Sequence, residues 1–224
     1  MKKLFNLITA LVVSVLTSSC FSWNSNAIYC NGEIKSVDMD FKDFSGVVVN
    51  GAADLRISQE DNFSVRVVAN EEVFQHLDYK VVDGVLTLET KERVQIRAEK
   101  FDVFVTMPTI DVLNVNGASD AVVSDFSGDY GITVTVNGAG DVELKNLTLE
   151  SLAFTVNGAA DLVAKELDVK KISVAVNGAA DASLQGKAED VNVSIAGAGS
   201  VDIRELSYTN LSTHKAGAAS IQTK

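Results

Sequence analysis

Asn157-Gly158-Ala159-Ala160-Asp161 is the stretch that decides the fold, because the chain writes it again and again. Intact copies of Asn-Gly-Ala-x-Asp begin at Asn50, Asn116, Asn137, Asn157 and Asn177, and eroded copies begin at Ala196 and Ala216. From Asn116 onward the starts step by 21, 20, 20, 19 and 20 residues. A fixed period in that range marks a solenoid, in which each unit buries its apolar face only against its neighbours.

Outward from the corner, stacking the units puts apolar residues in columns. Val142, Leu162, Ala182, Val201 and Ile221 form one, and Leu144, Ala164, Leu184 and Ile203 the next. Leu152, Ile172, Val191 and Leu211 form a third, Phe154, Val174 and Val193 a fourth, and Val136, Val156, Val176 and Ile195 precede the corner. Thr135, Ala153, Thr155, Ser173, Ala175, Asn192 and Ser194 alternate with them and face out. Period two within a coil and period 20 between coils predicts an all-β, right-handed parallel β-helix (β-solenoid), each coil rising about 4.8 Å.

The 224 residues are 46% hydrophobic and 22% charged, enough for one domain with a real core. Nine of the 15 glycines lie in the repeated corners, which argues for ordered turns and against a low-complexity linker. A net charge of −11 repels phosphate backbones and excludes nucleic acid as a partner class. It leaves open a cationic ligand, a neutral glycan or a divalent metal, and an envelope or host protein is a further expected partner class.

The first residues read as an address. Lys2 and Lys3 precede an apolar run from Leu4 to Leu16, and small residues lead to Cys20. That is a secretory signal pattern, too short to span a bilayer, which takes roughly 20 residues. The expectation is a signal peptide over 1–19 and lipidation of Cys20, anchoring the protein in the outer membrane on its surface or periplasmic face. Cleavage after Ala27 is the rival. Cys30 is then a lone thiol, or, with Cys20 unmodified, its disulfide partner.

Residues 20–32 are read as a tether and 33–224 as a single solenoid domain. Within it, 33–114 is expected to be irregular, 115–212 regular and 213–224 a C-terminal cap. The cap reading rests on Thr213 and Lys215, which stand where the columns call for apolar residues. In the irregular part, Asn70 before Glu71 and Glu72 predicts a capped short helix over 71–77. Asp83-Gly84 predicts a hairpin, and Gln95–Met107 a strand ended by Pro108, the only proline. The 66 residues from Asn50 to Asn116 thus hold a small helix and hairpin that cover one end of the stack.

The corner residues suit a tight turn: Asn tolerates left-handed backbone, Gly supplies positive φ, and Ala permits close stacking. Asn137, Asn157 and Asn177 are expected to form an amide ladder. Asp141, Asp161 and Asp181, with Asp54 and Asp120 in the same turn position, would repeat up one edge. Unit charges about 5 Å apart repel by nearly ~1 kcal/mol even in water. Backbone N–H bonds, solvation or a bridging cation could offset this. The three aspartates are therefore weak candidates for calcium, although calcium repeats carry several acids per unit. No other cofactor is expected.

Catalysis finds little support, and the protein is read as not an enzyme. His76 and His214 are the only histidines and fall in different parts of the chain. Lys145, Lys165, Lys170, Lys171 and Arg204 form no column that could serve a polysaccharide lyase, and aromatic platforms for sugars are absent.

The signal with Cys20, Val-Asn-Gly-Ala-Ala-Asp-Leu at 49–55, the Asp83-Gly84 hairpin, Met107-Pro108 and the tandem corners together carry a resemblance. The chain resembles the putative auto-transporter adhesin, head GIN domain family of bacterial lipoproteins, over about residues 34–224. The resemblance implies a right-handed β-helix similar to pectin lyases, no catalytic residues, and a role suggested to be adhesion. The expected function is a non-catalytic envelope lipoprotein that binds or adheres at the cell surface. A periplasm-facing structural lipoprotein is the alternative, and a degenerate glycan-active enzyme the third reading.

Overall fold

A computed structural model describes residues 27–91 and 94–224. The signal, Cys20 and the first part of the tether lie outside them. From β10 (Val112–Gly117) and β11 (Ala121–Ser124) onward, each coil lies parallel on the coil before. β12 (Ser127–Gly138), β13 (Val142–Gly158), β14 (Leu162–Gly178) and β15 (Asp181–Gly197) each bend through more than one face. The smaller β16 (Ser200–Asp202), β17 (Leu206–Ser207), β18 (Asn210–Gly217) and β19 (Ser220–Gln222) complete the stack. The result is a parallel β-solenoid.

Register follows the repeat. Val142 pairs with Leu162, Leu162 with Ala182, Ala182 with Val201 and Val201 with Ile221. Phe154, Val174 and Val193 stack likewise inside and are each about 1% exposed or less. Burying such a side chain contributes roughly 1.5–3 kcal/mol, so the axial columns dominate the stability of the stack. The last coil keeps this register: β18 lies on β15, with Thr213 and Lys215 exposed at the column positions.

The coil has a second left-handed corner that the sequence reading did not identify. Asp125, Asn146 and Glu166 hold φ of 65°, 52° and 55° at equivalent positions of successive coils. The Asn146 side-chain amide donates to Asp125 Oδ1 at 2.8 Å. Asp and Asn tolerate this backbone better than most residues, and Gly186 takes the corresponding corner one coil later.

Chain order and spatial order part company before Val112. β3 (Gly46–Gly51) and β4 (Asp54–Gln59) form the first coil, and β10 and β11 lie on one side of it. On its other side lie β7 (Val85–Thr90) under β3 and β9 (Phe101–Met107) under β4. β5 (Ser64–Asn70) pairs antiparallel with β9, and β2 (Ile34–Met39) antiparallel with β5. The hairpin joins β6 (Leu77–Val82) to β7 through Asp83 and Gly84, both at positive φ (50° and 75°). These elements cover that end of the stack.

Three local expectations change. The helix is a 3-10 helix over Glu71–His76, and Asn70 makes no side-chain cap. Its buried amide instead donates to the Gly32 carbonyl (2.8 Å) and accepts from the Lys100 N–H (3.0 Å). Two backbone groups that would otherwise lack a partner compete successfully for the side chain. The strand expected over 95–107 is divided into β8 (Gln95–Ala98) and β9. β8 leaves the stack to pair parallel with β1 (Ala27–Cys30), so the segment read as tether is paired in its last part, and Cys30 is buried.

Candidate functional site

The corners stack into two parallel rows of polar side chains. In the first, Asn116, Asn137, Asn157 and Asn177 each donate an amide hydrogen to the Asn Oδ1 of the coil beneath, at 2.8–3.0 Å. Asn50 ends the row by donating to Glu89 Oε2 at 3.2 Å. The sequence reading placed three residues in this row, and the structure adds Asn116 and Asn50. At the other end Ala196 follows Asn177 in register and offers no amide, so the row stops there.

The aspartate row works by a different bond. The backbone N–H of Asp141 donates to Asp120 Oδ1 (2.9 Å), that of Asp161 to Asp141 (2.9 Å) and that of Asp181 to Asp161 (3.0 Å). Ser200 N–H donates to Asp181 Oδ1 at 3.0 Å. Each carboxylate therefore holds the next coil, so of the three offsets the sequence left open the backbone N–H bond is present, and it comes from the adjacent coil. Because the donor is backbone, the row survives the change to serine at position 200. A charged acceptor strengthens such a bond and offsets the repulsion between neighbouring carboxylates.

Below Asp120 the row runs through Asp54 to Asp102, which pair in register. Asp102 is only 4% exposed, and its Oδ2 meets Lys100 Nζ at 2.5 Å and Arg56 Nη1 at 3.3 Å. Burial holds the Asp54 carboxyl above its ordinary range, and the charges of Asp120 and Asp102 add to this. Glu89 under the asparagines and Asp102 under the aspartates both lie in the irregular part. Sequence reasoning missed them because no Asn-Gly-Ala motif surrounds either.

Glycine makes this close stacking possible. Gly158 has φ of 157°, and a Cβ built on it would overlap the Gly138 carbonyl oxygen one coil below. The alanine after each glycine donates its N–H to the glycine carbonyl beneath, for example Ala159 to Gly138 at 2.9 Å. The corner is thus held by three rungs per coil: amide, backbone and carboxylate.

Among the described residues, no group of three His, Cys, Asp or Glu is placed to hold a metal ion. Asp141, Asp161 and Asp181 are brought together in the row, each with Oδ1 already accepting an N–H. His76 ends the 3-10 helix and His214 lies exposed in β18, in different parts of the fold. Burial raises the Cys30 thiol, with Glu72 adding to the effect, so the reactive thiolate is disfavoured. Among the described residues no helix is long and apolar enough to cross a membrane.

Two outward rows of the face leading into the corner carry a different chemistry. Thr133, Ala153, Ser173, Asn192 and Ser212 align in one, and Thr135, Thr155, Ala175, Ser194 and His214 in the other. Neither contains an Asp, Glu, Lys or Arg. The next outward row of the same face does, with Lys171 beside Asp190, as do the faces beyond the corner, with Glu143 near Lys165 (4.0 Å) and Glu150 bonded to Lys170 (2.5 Å).

Known structures share this fold. An adhesin of Bacteroides fragilis (named as putative) is 17% identical, with a TM-score of 0.67 over 88% of this chain and 100% of that one. A Parabacteroides distasonis protein named as a putative lipid binding protein is 18% identical, with a TM-score of 0.59 over 88% and 99%. A second P. distasonis protein, named as a putative adhesin, is 14% identical with a TM-score of 0.55 over 88% and 100%. No curated protein matches. Residues 43–224, which hold every corner described above, match the family described as "Putative auto-transporter adhesin, head GIN domain", and the chain belongs to that family.

Proposed function

We propose that the protein is an exported, non-catalytic binding domain of the cell envelope, held to the outer membrane through lipidated Cys20 and adhering through a side of the solenoid. The observation that carries this reading is the pair of uncharged outward rows. In a chain of net charge −11, ten aligned positions over five coils hold only Thr, Ser, Ala, Asn and one His. Two adjacent rows without ionic groups, edged on the same face by Lys171 and Asp190, lose little hydration on contact with a neutral glycan or protein surface, so binding along them avoids a large desolvation cost. The corner supports the same reading from the other direction, since its amides and carboxylates are engaged in coil-to-coil bonds. The family assignment supports an extracellular or envelope location.

Protease treatment of intact cells, followed by a blot for this protein before and after lysis, tests the reading. Loss of the protein from intact cells is expected. Survival until lysis would put the domain in the periplasm, ending the adhesion reading in favour of a structural lipoprotein.

A further inference from the structure

The stack has two ends, and its solvent-exposed large apolar side chains gather at one of them. Among the described residues these are Tyr29 (67% exposed), Ile34 (48%), Val37 (39%) and Val82 (55%). They belong to β1, β2 and β6, which lie below or beside the first coil, and none lies in the coils from Val112 onward. Among the described residues β2 pairs only with β5 and β6 only with β7, so each keeps a free edge at this end. Ile34 and Val37, three positions apart, flank the free edge of β2 on its two faces.

The same end receives the chain from Cys20. β1 is tied to the body by its pairing with β8, and just beyond it the Gly32 N–H donates to the Glu72 carboxylate at 2.9 Å. The Gly32 carbonyl accepts the Asn70 amide at 2.8 Å. Ala27, where β1 begins, is the seventh residue after Cys20, and seven extended residues reach at most about 25 Å. Eight strand spacings separate β6 from β18, roughly 38 Å at about 4.8 Å each. The charges at this end are mostly paired: Lys35 with Glu71 (2.5 Å), Arg66 with Asp38 (2.8 Å), and Lys80 with Asp78 (3.1 Å) and Glu89 (2.6 Å). Glu33 and Asp83 are exposed there as well, so a zwitterionic lipid surface suits this end better than an anionic one.

We infer that the solenoid stands end-on against the membrane, with Tyr29, Ile34, Val37 and Val82 resting in the lipid headgroup layer and the C-terminal coils pointing away. The inference rests on anchoring through Cys20 and adds to it a contact surface and a direction. The tether keeps this end near the bilayer, and the exposed apolar groups decide which way the stack points. Hydrocarbon cannot satisfy the free edges of β2 and β6, so the contact stops at the headgroups, where water supplies partners. Tyr29 suits that layer, having an apolar ring and a polar hydroxyl, and Arg97 lies over the ring, 5.7 Å from its centroid. End-on, the two uncharged rows climb away from the membrane, with Ser212 and His214 farthest out.

The test is energy transfer from a dye on the full, cell-acylated chain to acceptor-labelled lipid in phosphatidylcholine vesicles. The dye is carried by Ser36→Cys in β2 or by Ser212→Cys in β18, both exposed positions, while the buried Cys30 thiol stays unlabelled. Transfer from Ser36→Cys is expected to exceed that from Ser212→Cys about threefold or more, given the length of the stack. Adding Ile34→Glu and Val82→Glu should leave the chain on the vesicles through its lipid but bring the two transfers close to equal. Equal transfer in the parent, the reverse order, or a ratio that the double variant leaves unchanged would overturn the inference. Transfer between donor and acceptor dyes on two Ser36→Cys chains, in vesicles without labelled lipid, would also overturn it, by giving this end to a second copy. A parent chain that does not float with the vesicles would end the Cys20 anchor itself, and the end-on arrangement with it.

Discussion

The coils from Val112 onward and the part before them are built on the same columns but close their corners differently. In the regular coils two residues turn the chain, and every corner bonds to the one beneath. In the earlier part the asparagine row continues to Glu89 and the aspartate row to Asp102, yet the short corner between them is absent and β8 pairs with β1 outside the stack. The difference shows which features the stack requires. Side-chain rows can end on any acceptor or charge partner, whereas the backbone rung needs glycine contact at every level. Where that contact stops, β8 leaves the stack and pairs with β1.

The sharpest break in this comparison should come from glycine. Gly158→Ala places a Cβ against the Gly138 carbonyl, and a loss of about 3 kcal/mol or more is expected in urea unfolding. Gly51→Ala meets open space and carries only the left-handed backbone penalty, about 1–2 kcal/mol. Equal losses would mean that the two corners are not distinguished by close contact.

A smaller effect is expected within the asparagine row. Asn157→Ala removes two amide bonds, to Asn137 and from Asn177, and should lower stability by about 1–2 kcal/mol. In a chain of this size that corresponds to roughly 2–4 °C of melting temperature per kcal/mol. Asn177→Ala, at the end of the row, removes one such bond and should cost about half as much. An equal cost at both positions would show that the row is not additive.

The smallest effect concerns pH at the junction of the two regions. Burial, then Asp120 and Asp102, raise the Asp54 carboxyl above 3.8. The folded chain thus holds this proton more tightly than the unfolded chain. The stability owed to Asp54 accordingly falls as pH rises from 3.8 through the folded value. Asp54→Asn should melt slightly above the parent at neutral pH, and the gap should close below pH 3.8. A lower melt for Asp54→Asn at neutral pH would show that the charge is stabilising.

Much of the regular part was legible because its signals are local and repeated. Asn137, Asn157 and Asn177 recur every 20 residues, and Val142, Leu162 and Ala182 fall into line once the corners are aligned. The corner at Asp125, Asn146 and Glu166 recurs too, at steps of 21 and 20, but changes residue type each time. Positive φ there is satisfied by several residues, so no fixed motif announces it. The antiparallel pairing of β5 with β9 and the fate of Asn70 were not legible. Both depend on contacts 30 or more residues away, such as Asn70 with Lys100, which no local pattern encodes. At the candidate site the aspartates were found but their partners were not, because the donors are backbone groups of the adjacent coil.

The central claim is that the repeated Asn-Gly-Ala-x-Asp corner binds coil to coil. The most direct test is the melting temperature of Asp161→Ala against the parent, each measured in calcium and in chelator. Losing one charged-acceptor bond should lower stability by about 1–3 kcal/mol, by the same amount in both solutions, with the parent unmoved by either. A parent that melts higher in calcium and falls to the variant's temperature in chelator would contradict the account and make the aspartate row a metal site.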